Sequence, residues 1–534
     1  MFVPELRPWR AARPHVVRVV TAVRPHLARA AAAAGPRVAR LTRAAKPQLA
    51  RITTPKTVKT WQFTAGAATA GLALAAAVVT AAGPWDGSGQ RTAERDRAAA
   101  LGHTGGADHG RTSGRSEAAA GAPQPAPSAA SVLTALGGST SAAKSAPDAK
   151  PLGAVLDPLL NSGSLGTRHT AAVVDVATGR RLYGAGADDA LTPASTTKIA
   201  TAVAALSARG ADHRLITRAA LEPDTRELVL VGGGDPTLTA RKDPDNWASL
   251  RVLADRTAAA LQKRGIAQVT LSYDTTLYAG PGLHPIGANP NLAPVTALMA
   301  DEARTDDSTR GPAPRVEDPA TEATRAFAAF LQDHGIKTTA PGPSKATNRA
   351  KTLATVSSPP LSTVVERMLT NSDNDIAEAL ARQTAVATGE RADFAGAGKA
   401  IDAQLRKLGL PLSGTAFKDG SGLNRSDRLT ADLLTSLLAK AADPDHPDLR
   451  PALTGLPVAG FTGTLTSRYT EGAAGIVRAK TGTLTGVNTL AGTVVTRDGR
   501  LLAFAFLATN TTDPTAAQSA LDRTATALAA CGCK

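Results

Sequence analysis

In the larger, C-terminal part of the chain, apolar positions follow first the spacing of strands and then the spacing of helices. Two apolar runs joined by a turn that contains Gly179 predict a strand hairpin over His169–Val176 and Arg181–Gly184. Apolar residues at helical spacing predict a helix over Ser195–Ala208, with Gly210 as its stop signal. This part of the chain is therefore expected to begin with a hairpin followed by a helix.

The last third of the chain has the same two spacings in the opposite order. Helices are predicted over Leu361–Leu369 and, after a polar loop, through Ile376 and Leu380. Three apolar strands and a closing helix follow, at Ile476–Lys480, Thr489–Val495, Leu501–Leu507 and Pro514–Ala530. Because strands lie at both ends and helices between them, we predict an α/β fold of the α+β kind, in which an antiparallel sheet is flanked by helices.

Residues 215–355 have a different pattern, which predicts an inserted β-rich domain. Short runs such as Leu228–Val231 and Val269–Tyr273 alternate with loops rich in Gly, Pro and Asp. The run Gly232-Gly233-Gly234 is interpreted as a structural turn, because no Lys-Ser/Thr pair of a phosphate loop follows it. The first domain is therefore predicted to consist of residues 153–214 and 356–534, on either side of the insertion.

An uncharged stretch of 26 residues, 60–85, precedes these domains. About 20 apolar residues cross a bilayer core as a helix, so we expect an N-terminal transmembrane helix here. The alternative is secretion after signal cleavage, since Val79-Thr80-Ala81 resembles a small-residue cleavage site. Residues 86–152 are rich in Gly, Ala, Ser, Thr and Pro and predict a disordered linker between the membrane and the folded domains.

The net charge of +15 is concentrated at the N-terminus. Residues 1–59 contain thirteen Lys/Arg and one acid, whereas residues 153–534 contain forty Lys/Arg and thirty-eight acids. A basic flank before an apolar run predicts a basic cytoplasmic tail, a single-pass anchor in the cell membrane and an extracytoplasmic C-terminal part. DNA or anionic lipid could also bind this tail, and its partner stays open. No nucleic-acid partner is expected for the near-neutral folded part.

Metal and disulfide chemistry find little support in the composition. The two cysteines, Cys531 and Cys533, are separated by one residue, and a bridge across so short a loop would be strained. The nine histidines show no spacing typical of metal ligands. We therefore expect neither a metal nor a cofactor.

Ser195-Thr196-Thr197-Lys198 is the first of three short motifs with candidate chemistry. Positions i and i+3 share a helical face, so the hydroxyl and the amine can meet. Lys198 can accept the proton of Ser195 only when it is neutral, which requires its pKa to fall by roughly 3 units from about 10.4. This motif alone is weak evidence, because Ser141-Ala142-Ala143-Lys144 in the predicted linker fits it equally well.

The second and third motifs occur once each, and in isolation each resembles an ordinary turn or helix cap. Ser372-Asp373-Asn374 lies between two predicted helices, where its hydroxyl can relay a proton and the amide of Asn374 can hold a substrate backbone. Lys480-Thr481-Gly482-Thr483 ends a predicted strand, where the lysine and hydroxyls can bind a carboxylate and Gly482 lets a substrate approach the backbone. Together, in this order, the three motifs are typical of class A β-lactamases and penicillin-binding proteins.

Over about residues 155–530, the chain resembles the low-molecular-mass class C penicillin-binding proteins. These are the D-alanyl-D-alanine carboxypeptidase/endopeptidase family of the penicillin-binding protein 4 type. Three further stretches are similar to that family's GDPTL, DGSGL and GTLxxR elements: Gly233–Leu238, Asp419–Leu423, and Gly463-Thr464-Leu465 with Arg468. The family has extra domains between its first two motifs, and here 173 residues separate Lys198 from Ser372. The resemblance implies a serine β-lactamase/DD-peptidase-like transpeptidase fold with a five-stranded antiparallel sheet.

The resemblance also implies a role for each motif residue. The implied catalytic residues are the acylated nucleophile, its base and the proton shuttle to the leaving D-alanine: Ser195, Lys198 and Ser372. The implied substrate-binding residues, which position the peptide and bind its terminal carboxylate, are Asn374, Lys480, Thr481, Gly482 and Thr483. The backbone N–H groups of Ser195 and Thr483 would form the oxyanion hole.

The expected function is that of a serine-type D-Ala-D-Ala carboxypeptidase or endopeptidase that acts on peptidoglycan stem peptides and is inhibited by β-lactams. A class A β-lactamase is the nearest alternative, but it needs a glutamate for deacylation. The glutamates between Asn374 and Lys480 are Glu378, Glu390 and Glu471, and none of them lies in an ExxxN arrangement. A Ser/His/Asp hydrolase is disfavoured because the chain lacks GxSxG. A non-catalytic peptidoglycan-binding or β-lactam-sensing protein stays open, as do the carboxypeptidase/endopeptidase preference and the oligomeric state.

Overall fold

The structure is a computed structural model, and it describes residues 149–469 and 472–531. The predicted tail (1–59), the predicted transmembrane helix (60–85) and most of the predicted linker (86–152) lie outside the described residues. The last four residues of that linker, 149–152, are described, and they begin a helix. Within the described ranges, none of the helices is long and apolar enough to cross a membrane.

Strands occur at both ends of the described chain and in its middle. In chain order they are β1 (Arg168–Asp175), β2 (Arg181–Ala185), β3 (Ile216–Leu221), β4 (Glu227–Val231), β5 (Gln268–Asp274), β6 (Lys337–Thr338), β7 (Gly342–Pro343), β8 (Lys351–Ser357), β9 (Val477–Leu484), β10 (Val487–Val495) and β11 (Leu501–Thr509). The predicted hairpin corresponds to β1 and β2, and the three strands predicted near the C-terminus correspond to β9, β10 and β11.

Helices lie between these strands, before β1 and after β11. In chain order they are α1 (Ala149–Leu160), α2 (Thr197–Arg209), α3 (Leu250–Gln262), α4 (Pro319–Asp333), α5 (Leu361–Asn371), α6 (Asn374–Thr388), α7 (Phe394–Lys407), α8 (Ala431–Ala442), α9 (Pro451–Thr454) and α10 (Pro514–Ala530). The closing helix has the predicted bounds. The helix predicted over Ser195–Ala208 instead begins at Thr197, after a 3₁₀ turn over Ala194–Thr196.

A five-stranded antiparallel sheet, in the order β2-β1-β11-β10-β9, forms the centre of the first domain. Successive side chains of a strand point to opposite faces, and β11 is apolar on both. Ala503, Ala505 and Leu507 pack with residues of α2, α5 and α8 on one face. Phe504 and Phe506 pack with residues of α1 and α10 on the other. The prediction of an antiparallel sheet flanked by helices is confirmed.

A second sheet lies within the predicted insertion. Its main order is β6-β5-β4-β3-β8, with β7 paired to β5. It is a mixed sheet, because β4 is parallel to β5, whereas β3 is antiparallel to both of its neighbours. Helices α3 and α4 cover it and share its apolar core, which the β-rich prediction did not include.

The two ends of the insertion lie side by side. The N–H of Leu361, at the start of α5, donates to the carbonyl of His213 at 2.8 Å, and Ser358 N–H donates to the carbonyl of Leu215 at 2.9 Å. The chain therefore leaves the first domain after α2 and returns to it at α5 through adjacent backbone segments. The boundaries 153–214, 215–355 and 356–534 stay predictions.

Candidate active site

Ser195 lies in a tight turn that leads into α2. Ala194, just before it, has a positive φ of 48°. The carbonyl of Pro193 accepts hydrogen bonds from Thr196 Oγ1 at 2.7 Å and from Thr489 Oγ1 on β10 at 2.8 Å. These bonds anchor the turn to the central sheet, while the Ser195 side chain stays partly exposed.

Lys198 lies one turn further along and is fully buried. Its Nζ is 3.2 Å from Ser195 Oγ, and it donates to Asn374 Oδ1 at 2.6 Å and to the Ser421 carbonyl at 2.7 Å. Burial lowers the pKa of Lys198 to about 8, although nearby carboxylates, above all Asp419 and then Glu378, oppose this shift. The amine therefore has both the position and the lowered proton affinity that a base for Ser195 needs.

Ser372 and Lys480 form a second pair of hydroxyl and amine. Ser372 ends α5 in the left-handed conformation, with φ 59°. Lys480 Nζ donates to Ser372 Oγ at 2.9 Å and to the Thr481 carbonyl at 2.8 Å. Burial, and then repulsion from Lys198, hold the pKa of Lys480 well below its usual value. The polar loop that the sequence predicts around Ser372 is a short junction between α5 and α6.

Asn374 begins α6 and contacts both domains. Its Oδ1 accepts from Lys198, and its Nδ2 donates to the carbonyl of Asn291 at 2.9 Å. Asn291 belongs to the predicted insertion, so a segment between the first two motifs contributes directly to the site. Asp373 caps α6 by accepting from the N–H of Ile376 at 3.0 Å.

The third motif lies on β9, beside the serine turn. In the register with β10, Thr483 is opposite Asn488 and Gly482 is opposite Thr489. A Cβ on Gly482 would overlap Thr489 Oγ1 and lie 2.7 Å from the carbonyl oxygen of Pro193. Gly482 is thus required by packing against the serine turn, in addition to the substrate approach that the sequence suggests. Thr481 Oγ1 is hydrogen-bonded to Thr464 Oγ1 at 3.0 Å.

A cleft of about 280 Å³ opens above these groups. Four of the predicted site residues line it: Ser195, Ser372, Asn374 and Thr483. Both lysines are fully buried behind their hydroxyl partners, at 0% exposure. The structure therefore brings all three motifs to one place, with the hydroxyls toward the cleft and the amines behind them.

The insertion supplies charged residues to the same cleft. Arg304 and Arg315 line it, together with Asp375 of α6. Arg315 forms an ion pair of 2.9 Å with Asp375, and Arg304 forms one of 2.8 Å with Glu302. Glu302, Asp373 and Asp375 are close enough to share a cation. Since two arginines already supply positive charge there, the arrangement does not require a metal.

Sequence reasoning gave no role to several residues that hold the site. Ser421 accepts from Lys198, and Glu378 accepts from the N–H groups of Gly420 and Ser421 at 2.9–3.2 Å. Two signals were available. The stretch Asp419–Leu423 has two glycines typical of a tight turn, and Glu378 follows Asn374 by four positions, on the same helical face.

Comparison with known proteins covers the same region. The model of the D-Ala-D-Ala carboxypeptidase 3 (S13) family matches residues 152–313 and 304–528. The chain belongs to this family. A carboxypeptidase DacB of Mycolicibacterium smegmatis is 38% identical to this protein over 383 residues, which cover 68% of this chain and 81% of the relative.

Two solved structures are similar to this protein in fold. Penicillin binding protein 4 from Haemophilus influenzae has a TM-score of 0.57 at 21% identity, covering 70% of this chain and 98% of that chain. The same protein, complexed with a novel β-lactam, has a TM-score of 0.55 at 22% identity, with the same coverage. The predicted family and the predicted enzyme class, a carboxypeptidase, are confirmed.

Proposed function

We propose that this protein is a serine D-Ala-D-Ala carboxypeptidase in which Ser195 is the nucleophile and Lys198 is its general base. The observation that carries the proposal is the 3.2 Å distance between Ser195 Oγ and Lys198 Nζ, with Asn374 and Ser421 accepting the other protons of the amine. With a pKa of about 8, roughly a tenth of Lys198 is neutral at pH 7 and able to accept a proton.

Acylation uses the two pairs of hydroxyl and amine in turn. Ser195 Oγ attacks the carbonyl carbon of the penultimate D-alanine while Lys198 takes the hydroxyl proton. The bond to the nitrogen of the terminal D-alanine then breaks, and this nitrogen receives a proton from Ser372, which lies 2.9 Å from Lys480 Nζ. Ser372 Oγ regains a proton by transfer of the one that Lys198 took from Ser195, so Lys198 is neutral again and D-alanine leaves with a neutral amino group.

Deacylation returns the enzyme to its starting state. Water adds its hydroxyl to the ester carbonyl, the bond to Ser195 Oγ breaks, and Oγ regains a proton. In the preceding acylation step, Asn374 and the hydroxyls of Thr481 and Thr483 position the peptide and its terminal carboxylate, which leaves with D-alanine. The backbone N–H groups of Ser195 and Thr483 bind the oxygen that becomes negative in the transition state.

A β-lactam acylates Ser195 by the same step, but its leaving nitrogen stays attached through the opened ring. The leaving group therefore cannot diffuse away as D-alanine does, and the acyl-enzyme persists. The β-lactam complex of the Haemophilus influenzae relative supports this part of the proposal.

The finer organisation belongs to the same proposal. Residues 153–214 and 356–534 form the DD-peptidase domain of the transpeptidase fold, and residues 215–355 are its insertion. Residues 60–85 anchor the protein in the cell membrane, with residues 1–59 in the cytoplasm and the catalytic domain outside. The uncharged run and its basic flank support this placement. The partners are then peptidoglycan stem peptides and β-lactams.

The test combines labelling with product analysis on the purified full-length protein. A fluorescent penicillin should label the wild type but not Ser195→Ala, and the wild type should release D-alanine from a pentapeptide stem. Mass spectrometry of treated muropeptides separates loss of D-alanine from cleavage of cross-links. Fast β-lactam turnover without D-alanine release would identify a β-lactamase, and labelling without any turnover would identify a sensor; either result overturns the proposal.

A further inference from the structure

A largely buried turn, Asp419–Asn424, lies directly behind the pair formed by Ser195 and Lys198. Its first and third residues, Asp419 and Ser421, are 0% exposed. Glu378, also 0% exposed, accepts from both backbone N–H groups in the middle of the turn. Its Oε1 is 2.9 Å from Ser421 N and 3.1 Å from Gly420 N, and its Oε2 is 3.2 Å from Gly420 N. One carboxylate therefore fixes the orientation of two successive peptide groups.

The opposite side of the same turn faces the proposed general base. The Ser421 carbonyl accepts from Lys198 Nζ at 2.7 Å, and the Gly420 carbonyl accepts from Thr201 Oγ1 at 2.6 Å. The turn is thus held between α6, which accepts its N–H groups, and α2, which donates to its carbonyls. A single residue, Ser421, separates the carboxylate of Glu378 from the amine of Lys198.

Helical spacing adds a second connection between the same two groups. Asn374 and Glu378 are one turn apart on α6, and the Oδ1 of Asn374 accepts from Lys198 directly at 2.6 Å. The turn has little room to shift, because a Cβ on Gly420 would lie 2.7 Å from the Ala377 carbonyl oxygen. The position of Lys198 Nζ is therefore determined by α6 twice, once directly and once through Ser421.

The insertion holds the other end of the turn. His284 Nδ1 accepts from the N–H of Ile286 at 3.2 Å, so the ring proton is on Nε2, which donates to Asp419 Oδ2 at 2.9 Å. Asp419 Oδ1 also accepts from Gly422 N at 2.6 Å. Although burial opposes it, the hydrogen bonds to Asp419 keep its pKa below its usual value. Asp419 is therefore a second fixed point of the turn.

We propose that Glu378 is a positioning residue, which acts through Ser421 to hold the proposed general base, Lys198, in reach of Ser195. The inference deepens the function proposed above and rests on it. Glu378 does not touch the cleft or the substrate, and its effect on the reaction passes through the backbone of the turn. No pattern of the three motifs contains it.

The charge of Glu378 also affects the pKa of Lys198, an effect that a purely structural role would not have. Glu378 is among the carboxylates that raise the pKa of Lys198 against the effect of burial, together with Asp419, Asp373 and Asp375, whereas Lys480 is the nearby cation. Burial, and then the charge of Asp419, raise the pKa of Glu378 itself to about 7. His284 and Arg382 are the other charged or titratable groups close to it. Removing the carboxylate charge should therefore make Lys198 easier to deprotonate.

The experiment measures the acylation rate with a fluorescent penicillin as a function of pH for full-length wild type, Glu378→Gln and Glu378→Asp. We expect Glu378→Gln to lower the plateau rate about tenfold, because the amide replaces Oε2, which accepts from the Gly420 N–H, with an NH2 group that can only donate. The midpoint of the acid limb in the pH profile of its acylation rate should move to lower pH by about half a unit or more, because Lys198 loses a nearby negative charge. Glu378→Asp keeps the charge and should keep the wild-type midpoint with a reduced plateau.

Asp427→Asn is the matched control. Burial, and then the charge of Asp419, raise the pKa of Asp427 to about 10, so an amide there has the same charge as the protonated acid. Its midpoint should equal that of the wild type. An unchanged rate and midpoint in Glu378→Gln, or an equal shift in Asp427→Asn, would overturn the inference.

Circular dichroism shows whether Glu378→Gln folds. If it does not, Glu378→Asp becomes the test: a plateau acylation rate equal to that of the wild type in this variant would contradict the positioning role. Labelling of Ser195→Ala would instead show that the proposed function itself is wrong. The two failures are therefore distinguishable in one set of measurements.

Discussion

Lys480 donates a 2.9 Å hydrogen bond to Ser372, which precedes it by 108 positions in the chain. Because the two residues are so far apart in the chain, the bond depends on the fold, which brings β9 to the junction of α5 and α6. Lys480 is fully buried, and Ser372 gives its amine an acceptor at the border of the cleft. The arrangement connects a buried amine to a hydroxyl that a substrate can reach.

Ser372→Ala should therefore reduce D-alanine release by about 100-fold or more, because the leaving nitrogen loses its proton donor. The measurement is kcat/KM for a pentapeptide stem. Penicillin acylation should also slow, since opening the ring requires the same proton. The thermal midpoint serves as the control for folding. Release of D-alanine within threefold of the wild-type rate would exclude Ser372 as the donor.

The pH dependence of the wild type follows from the lowered pKa of Lys198, about 8. Acylation needs the neutral amine, so its rate should increase as pH rises through about 8 and level off above it. The second-order rate constant for penicillin between pH 6 and 10 measures this. Lys198→Arg should lose acylation across the whole range, because a guanidinium stays protonated. A flat profile in the wild type would contradict Lys198 as the base.

The sequence predicted the local parts of this site because their geometry is set by helical spacing. Ser195 and Lys198 meet as an i, i+3 pair, and the strands and helices that carry the other motifs lie close to their predicted positions. The contacts of Pro193 could not be predicted in the same way. Its carbonyl accepts from Thr489, 296 positions later, and nothing in the local pattern of either residue indicates this pairing.

Two helices of the insertion were missed although their N-caps are visible in the sequence. Ser249 caps α3 and accepts from Val252, and Asp318 caps α4 and accepts from Thr321, with Pro319 at the first helical position. The short β-rich runs around them dominated the pattern. For Glu378, the sequence pattern suggests only the role of a deacylating glutamate, which its spacing disfavours. Its actual partners, the N–H groups of a turn more than 40 positions away, depend on the packing of the whole domain.

Gly482→Ala should destabilise the protein by about 1–3 kcal/mol, because the added methyl overlaps Thr489 and crowds the Pro193 carbonyl. Since Pro193 anchors the serine turn, penicillin acylation should fall as well. Urea unfolding and labelling rates measure the two effects. Gly342→Ala is the control, because a Cβ there has no atom within 4 Å. Equal stability of the two variants would show that the close packing at Gly482 is unimportant.

The ion pair between Arg315 and Asp375 provides a test of the contribution of the insertion. The two side chains are 5% and 1% exposed and 2.9 Å apart. Arg315→Ala leaves a buried carboxylate without its partner, so we expect a loss of about 3–5 kcal/mol at pH 8. Asp375 also accepts from Ala293 N–H, which joins the start of α6 to the insertion. Acylation should therefore weaken together with stability.

The pH dependence of that loss has a definite sign. Burial, and then the charge of Asp373, already raise the pKa of Asp375 to about 7, above its value in the unfolded chain. Without Arg315 it should rise further, so the folded variant takes up a proton and is penalised more as pH increases from 6 to 8. Arg349→Ala is the matched control, because its pair with Asp224 is similarly short, 2.8 Å, but about two-thirds exposed. It should change the free energy of unfolding by less than about 1 kcal/mol. If Arg315→Ala were no more destabilising than Arg349→Ala at pH 8, the insertion would not stabilise the second motif through this pair.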